Sequence, residues 1–362
     1  MRVNGEPRRT IWPAPEGGAV WVIDQRQLPH HWREERLASP ADVRRAIAQM
    51  WVRGAPLIGV SAAYGMALQC RADASDAALR AAKVELDGAR PTAVNLAWAT
   101  ARMLAHLLPL PVADRADAAW IAAAAMADDD VAVNAAIGAH GLALLQQLHR
   151  QHGGRTIQLL THCNAGWLAT VDWGTATAPI YQAHAAGLPV HVWVDETRPR
   201  NQGAGLTAWE LAQEGVPHTL VADNAGGHLM QRGRVDAVIV GTDRVAANGD
   251  VANKIGTYLK ALAARAHGLP FWVAMPLSTL DLAVADGLTG IPIEERDGRE
   301  LTHVAGIDAA GRINEVGIAP AGTVAANPAF DITPAALVTA LITERGVVAA
   351  DEVALRTLAN AP

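Results

Sequence analysis

Thr156-Ile157-Gln158-Leu159-Leu160-Thr161-His162-Cys163-Asn164-Ala165-Gly166 decides how this chain is read. Residues 156–160 form an apolar run with the length and make-up of a buried strand. The run stops in a small polar turn and passes into a segment rich in alanine and glycine. In an open α/β sheet, ligands bind outside the carboxyl ends of such strands, where helix N-termini begin. Cys163 falls at that point. Beside a helix N-terminus its thiolate is favoured, which suits proton transfer or nucleophilic work. A cysteine can equally be a small buried hydrophobe, and the residues alone leave both roles open. His162 on the strand end points to the opposite face and reads as structural.

The same alternation continues downstream. Short β-rich runs at 190–194, 218–221, 236–241 and 271–275 are separated by helical segments, which implies βαβ units and a mostly parallel sheet with right-handed crossovers. Gly187-Leu188-Pro189, Gly215-Val216-Pro217 and Gly268-Leu269-Pro270 each precede a strand and mark helix ends. Upstream of Thr156 the pattern is mainly helical. Residues 19–23 form a strand candidate. Ser39 reads as an N-cap, with Pro40 at the first helical position and Asp42 on the positive end of the dipole. Gly54 is expected to end that helix. Further helices are expected over Gly59–Leu68, Val94–Leu108 and Asp114–Gln151, the last with a break near Gly138 or Gly141. From Thr333-Pro334 onward the chain reads as a closing helical segment. The fold class is therefore α/β. A smaller, mainly helical N-terminal domain with a short β element (1–153) precedes a Rossmann-like domain with a mostly parallel sheet flanked by helices (154–362).

Of 362 residues, 51% are hydrophobic and 18% charged, which marks a globular chain with enough apolar material for a large core. The formal net charge of −6 argues against a nucleic-acid partner. Two cysteines, Cys70 and Cys163, give neither a disulfide framework nor a thiolate metal cluster and fit a reducing compartment, the cytoplasm. The first residues lack a signal-peptide apolar core. Charged residues and histidines interrupt the alanine-rich runs, so no membrane span is expected.

Polar residues collect after the strands. Asp195 to Gly203 follows the second, Gly241-Thr242-Asp243-Arg244 the fourth, and Pro276-Leu277-Ser278-Thr279 the fifth. In the first domain, Arg53-Gly54-Ala55-Pro56 sets a guanidinium and a glycine turn before a helix, an anion site by charge and geometry. Arg90-Pro91-Thr92 adds a second guanidinium, and Lys254 a point charge at another helix start. Each of these alone is better explained by a cap or a solvated charge. Neither a dinucleotide fingerprint nor a P-loop occurs, and no clustered His/Cys set points to a metal.

Taken together, the motifs resemble the methylthioribose-1-phosphate isomerase family. Its wider group includes archaeal ribose-1,5-bisphosphate isomerases and the α, β and δ regulatory subunits of an initiation-factor guanine-exchange complex. The matching stretches are Arg53-Gly54-Ala55-Pro56-Leu57-Ile58-Gly59, Arg90 to Leu96, Leu160-Thr161-His162-Cys163-Asn164, Asp195-Glu196-Thr197-Arg198-Pro199, Gln202-Gly203-Ala204, Leu206 to Leu211, and Gly241 to Tyr258. The resemblance implies an aldose–ketose isomerase of methionine salvage that acts on 5-methylthio-α-D-ribose 1-phosphate without a cofactor or metal, as a cytoplasmic homodimer. It implies Cys163 and Asp243 as the catalytic pair, and Arg53, Gly54, Ala55, Arg90, Gln202, Asn253 and Lys254 as substrate-binding residues. Asp243 would act as the acid and Cys163 would carry the C2 proton, with a direct hydride shift as the competing route. Gly205 stands where an arginine is expected. Ala165-Gly166-Trp167 replaces the usual Thr-Gly-Ala, so Trp167 is expected to narrow the pocket. The alternatives are an isomerase of another sugar 1-phosphate (5-deoxyribose 1-phosphate or ribose 1,5-bisphosphate) and a non-catalytic regulatory subunit.

Overall fold

The computed structural model describes residues 1–90 and 93–360; Pro91 and Thr92 of the Arg90-Pro91-Thr92 motif lie outside the described residues. After a short antiparallel pair of Arg2–Val3 and Glu6–Pro7, the chain forms a three-stranded antiparallel sheet of Ile11–Pro13, Val20–Ile23 and Glu34–Leu37. Ser39 then caps the helix Pro40–Ala48, its Oγ accepting from the Asp42 N–H at 3.1 Å. Gly54 does not end this helix, which stops at Ala48. Instead it starts the next one, Ala55–Ala72, which is longer than the expected Gly59–Leu68. That helix is buried on nearly every face, so apolar periodicity could not mark its ends. The helix Asp76–Asp87, capped by Ser75, was not anticipated; Val94–Leu107 was. Leu57, Ile58, Met66, Leu79, Leu96 and Met103 from these helices form the first core.

The helix Arg115–Gln151 runs 37 residues without the expected break. Its glycines serve close packing: a Cβ on Gly138 would lie 2.4 Å from Gln182 Nε2, and one on Gly141 2.3 Å from Pro179 Cγ. By length and composition Val112–Gln151 is apolar enough to cross a membrane. Its buried stripe, however, is covered by the chain itself. Ala119, Ala123 and Met126 lie in the first core, and Ile137, Leu145 and Leu148 in a second, beneath the main sheet.

That sheet has seven strands in the order Gly346–Val348, Ala340–Thr343, Phe271–Ala274, Ala237–Val240, Ile157–Thr161, Val190–Asp195 and His218–Val221. Every neighbouring pair is parallel except the first. The five strands expected from sequence are all present. The closing helical segment is corrected: Ala340–Thr343 and Gly346–Val348 are strands, and among the described residues the helical parts are a short 3-10 turn at Ala335–Leu337 and the helix Glu352–Asn360. Leu341 and Ile342 are fully buried beside Phe271–Ala274, and that pairing overrides the local alanine-rich bias. A second, four-stranded sheet of Leu280–Asp281, Arg244–Ala246, Val251–Lys254 and Phe330–Thr333 was not expected.

Candidate active site

The chain leaves Ile157–Thr161 toward Val190–Asp195 and His218–Val221 on one side, then returns to Ala237–Val240 on the other. The crevice between Ile157–Thr161 and Ala237–Val240 is therefore the topological switch point, where open α/β sheets bind ligands. Leu160 pairs with Val238, so the two strands end side by side. Cys163 follows the first and Asp243 the second.

Cys163 is not at a helix N-terminus, as the sequence suggested. A short turn at Trp167–Ala169 comes next, and the following α-helix, Ala178–Ala185, starts well beyond it. Cys163 instead sits in the left-handed region, φ 63°, unusual for a residue with a side chain. Its backbone is held on both sides: its N–H donates to Thr197 Oγ1 at 2.7 Å, and its carbonyl accepts from Thr207 Oγ1 at 2.6 Å. Such a strained position persists only where the surroundings fix it, which is common at active sites. The thiol Sγ lies 3.4 Å from Gln202 Oε1.

The N-terminal helices supply another wall. Gly54 has φ 90°, and a Cβ there would fall 2.4 Å from the Ala169 carbonyl, so this turn requires glycine. Arg53 is buried and donates from both terminal nitrogens to Asn164, one to Oδ1 and one to the carbonyl, each at 2.5 Å. It thus locks the residue after Cys163 as well as carrying charge into the cleft. Arg53→Lys keeps the charge but loses this fork. An unreactive phosphate ester should then bind more weakly by about 1–3 kcal/mol in a calorimetric titration. Parental affinity would remove Arg53 from the phosphate site.

The second sheet adds Asn253 and Lys254. Lys254 ends a strand and does not start a helix. Asn253 Nδ2 donates to Thr257 Oγ1 at 3.0 Å. Arg53, Gly54, Ala55, Arg90, Cys163, Gln202, Asp243, Asn253 and Lys254 all line one cleft. Trp167 does not line it, contrary to expectation. It is buried in a cluster of three rings with Trp32 and Trp209, at ring distances of 6.5 and 6.2 Å.

Sequence reasoning missed four charged groups here. Arg200 and Arg296 line the cleft and share Glu300, whose carboxyl their guanidinium groups hold down at about 2 against the upward push of burial. Arg200 lay within a stretch already singled out, whereas Arg296 carried no motif signal. Glu210 is fully buried behind Gly166, and burial pushes its carboxyl up to about 7 although the Leu168 N–H donates to it. A lone acid in the apolar run Trp209-Glu210-Leu211 was the available clue.

Burial dominates the electrostatics. It raises the Cys163 thiol, which Arg53 and Lys254 pull back. It raises the Asp243 carboxyl against Arg90, Arg53 and Lys254, and Glu294 adds to the rise. It lowers Lys254, opposed first by Cys163. A carboxyl and a thiol, both with their charged forms disfavoured by burial, thus line one cleft among cations, an arrangement suited to an anionic substrate and to proton transfer.

A model of the initiation factor 2 subunit family matches residues 51–350. Methylthioribose-1-phosphate isomerases of Rhodospirillum rubrum and Rhizobium meliloti are 60% and 58% identical over 99% of this chain, and the matches cover 93% and 99% of those proteins. Among solved structures, 5-methylthioribose 1-phosphate isomerase from Pyrococcus horikoshii aligns with a TM-score of 0.84 at 40% identity, covering 97% of this chain and 96% of that one. Translation initiation factor eIF-2B subunit delta from A. fulgidus aligns at 0.79 and 38% identity, covering 97% and 99%.

Proposed function

The chain belongs to the initiation factor 2 subunit family, among its methylthioribose-1-phosphate isomerases, and from this we propose that Cys163 and Asp243 move the hydrogens. The reaction is an aldose–ketose isomerisation of 5-methylthioribose 1-phosphate to 5-methylthioribulose 1-phosphate. A phosphate on the anomeric oxygen prevents spontaneous ring opening, so the ring oxygen needs an acid. Asp243 donates its proton there, and the bond from C1 to the ring oxygen breaks. Cys163, as thiolate, takes the proton from C2, and its electron pair forms the C1–C2 double bond of an enol. The thiol then returns that proton to C1, while the C2 hydroxyl gives its proton to Asp243 and becomes the ketone. Both side chains end as they began.

Arg90, Lys254, Arg53 and the N–H groups at Gly54 and Ala55 hold the phosphate, and Gln202 and Asn253 orient the sugar. Binding energy far from C2 thereby aligns the reacting carbons. The observation that supports this reading is the convergence of both residues and these cations on the cleft at the switch point. Proton NMR of the protein with methylthioribose 1-phosphate tests it: the anomeric signal should give way to that of the 1-phospho-ketose. An unchanged spectrum refutes it.

Three further features belong to this proposal. The division into units 1–153 and 154–362 is one. A homodimer is the second, supported by exposed Tyr258, Leu259 and Leu262 on the helix Thr257–Ala266. A cytoplasmic place in methionine salvage is the third, supported by two free thiols and by a substrate whose methylthio group is worth recovering.

A further inference from the structure

The proton transfers above give no task to the buried cluster beside Cys163. His162 is 1% exposed. Its Nδ1 lies 2.9 Å from Asp195 Oδ2, and its Nε2 2.8 Å from the carbonyl oxygen of Ile255. Asp195 ends a strand of the main sheet, and Ile255 directly follows Lys254 of the second sheet. The ring is therefore a strut between the two sheets, anchored at both nitrogens to acceptors.

The backbone beyond Lys254 is moulded to this ring. Gly256 has φ 102°, and a Cβ there would lie 3.0 Å from His162 Cε1 and Nε2. His162, Asp195 and Asp223 also bring three potential metal ligands within 4.8 Å of one another. A cation is already present, however: the Lys260 ammonium sits 3.2 Å from the Asp195 oxygen that His162 contacts. The cluster thus reads as a clamp and not as a metal centre.

We infer that His162 is a positioning residue: it holds the Lys254–Gly256 turn against the end of the Cys163 strand, and so keeps the Lys254 ammonium where it acts on the thiol. This deepens the proposed function and rests on Cys163 as the proton carrier. The coupling runs in both directions, since Lys254 draws the thiol down and the thiolate supports the ammonium. Arg53 and Asp243 also face the thiol, with opposite effects. Asp195, Asp223, Lys260 and Asp331 surround the imidazole.

The test is the pH dependence of alkylation of Cys163 by iodoacetamide, followed by mass spectrometry of its peptide. His162→Gln should move the midpoint upward by about one unit, the usual effect of losing a nearby opposite charge. Turnover should fall about tenfold or more as the site loses alignment. Lys254→Met should give a similar shift, and the double variant should shift no further than Lys254→Met alone. An unchanged profile in His162→Gln, or additive shifts in the double variant, overturns the inference. If His162→Gln melts below assay temperature, Asp195→Asn replaces it: an upward shift supports the clamp and an unchanged midpoint overturns it. Alkylation reads the thiol whether or not Cys163 is catalytic, so failure here is distinguishable from failure of the proposed chemistry.

Discussion

Cys163→Ser should leave a folded protein that still binds phosphate but turns over about 10³-fold more slowly or worse. The hydrogen bonds from Thr197 and Thr207 engage the main chain of Cys163, so the strained turn survives exchange of sulfur for oxygen. The chemistry does not survive it, because a hydroxyl ionises far less readily than a thiol. Steady-state kinetics with calorimetric binding of a phosphate ester separates the two effects, and near-parental turnover would end the proposed role. Cys70→Ser should change little. Cys70 lies in the first core, and burial holds its thiol up at about 11.

Asp243→Asn keeps the shape of the side chain but cannot exchange a proton, so turnover should fall by about 10²-fold or more. Ground-state binding should change much less, since an amide still hydrogen-bonds a sugar hydroxyl. A large loss of affinity with normal kcat would make Asp243 a binding residue only. The pH profile of the parent follows from the same pair. Burial raises Asp243, and its working form is protonated, so activity is lost as pH rises through that raised pKa. Burial also raises Cys163, whose working form is the thiolate, so activity is gained as pH rises through its own raised pKa. The two limbs have opposite slopes and give a bell. Running the reaction in D₂O tests the proton route: deuterium reaching C1 through exchange at the thiol during turnover marks proton transfer, because a hydride shift leaves C1 unlabelled.

The strands of the main sheet were legible where each is a β-branched or aromatic run after a Gly-x-Pro turn, as at Val190–Asp195 and Phe271–Ala274. Ala340–Thr343 was not legible, because its strand state depends on a neighbour about seventy residues earlier and not on local propensity. The second sheet was hidden for the same reason. Val251–Lys254 contains Asn253 and Lys254, and is extended because Phe330–Thr333 pairs with it. In the site, the motifs indicated which residues meet but not how. The grip of Arg53 on Asn164 spans 111 positions. The burial that raises Asp243 and Glu210 is a property of the packed molecule, which no local pattern carries.

The unbroken helix Arg115–Gln151 has a consequence for how the protein comes apart. Its early turns are set in one core and its late turns in the other. Melting either core would strip one end of a rod about 55 Å long, at 1.5 Å per residue, and strand apolar side chains in water. Chemical denaturation should therefore follow a single cooperative transition, seen alike by tryptophan fluorescence and by circular dichroism. Amide protons in the middle of the rod should exchange only through global opening. A chain cut at Gly153-Gly154 should stay together as a nicked whole, because Ile137, Leu145 and Leu148 remain seated beneath a sheet that begins after the cut.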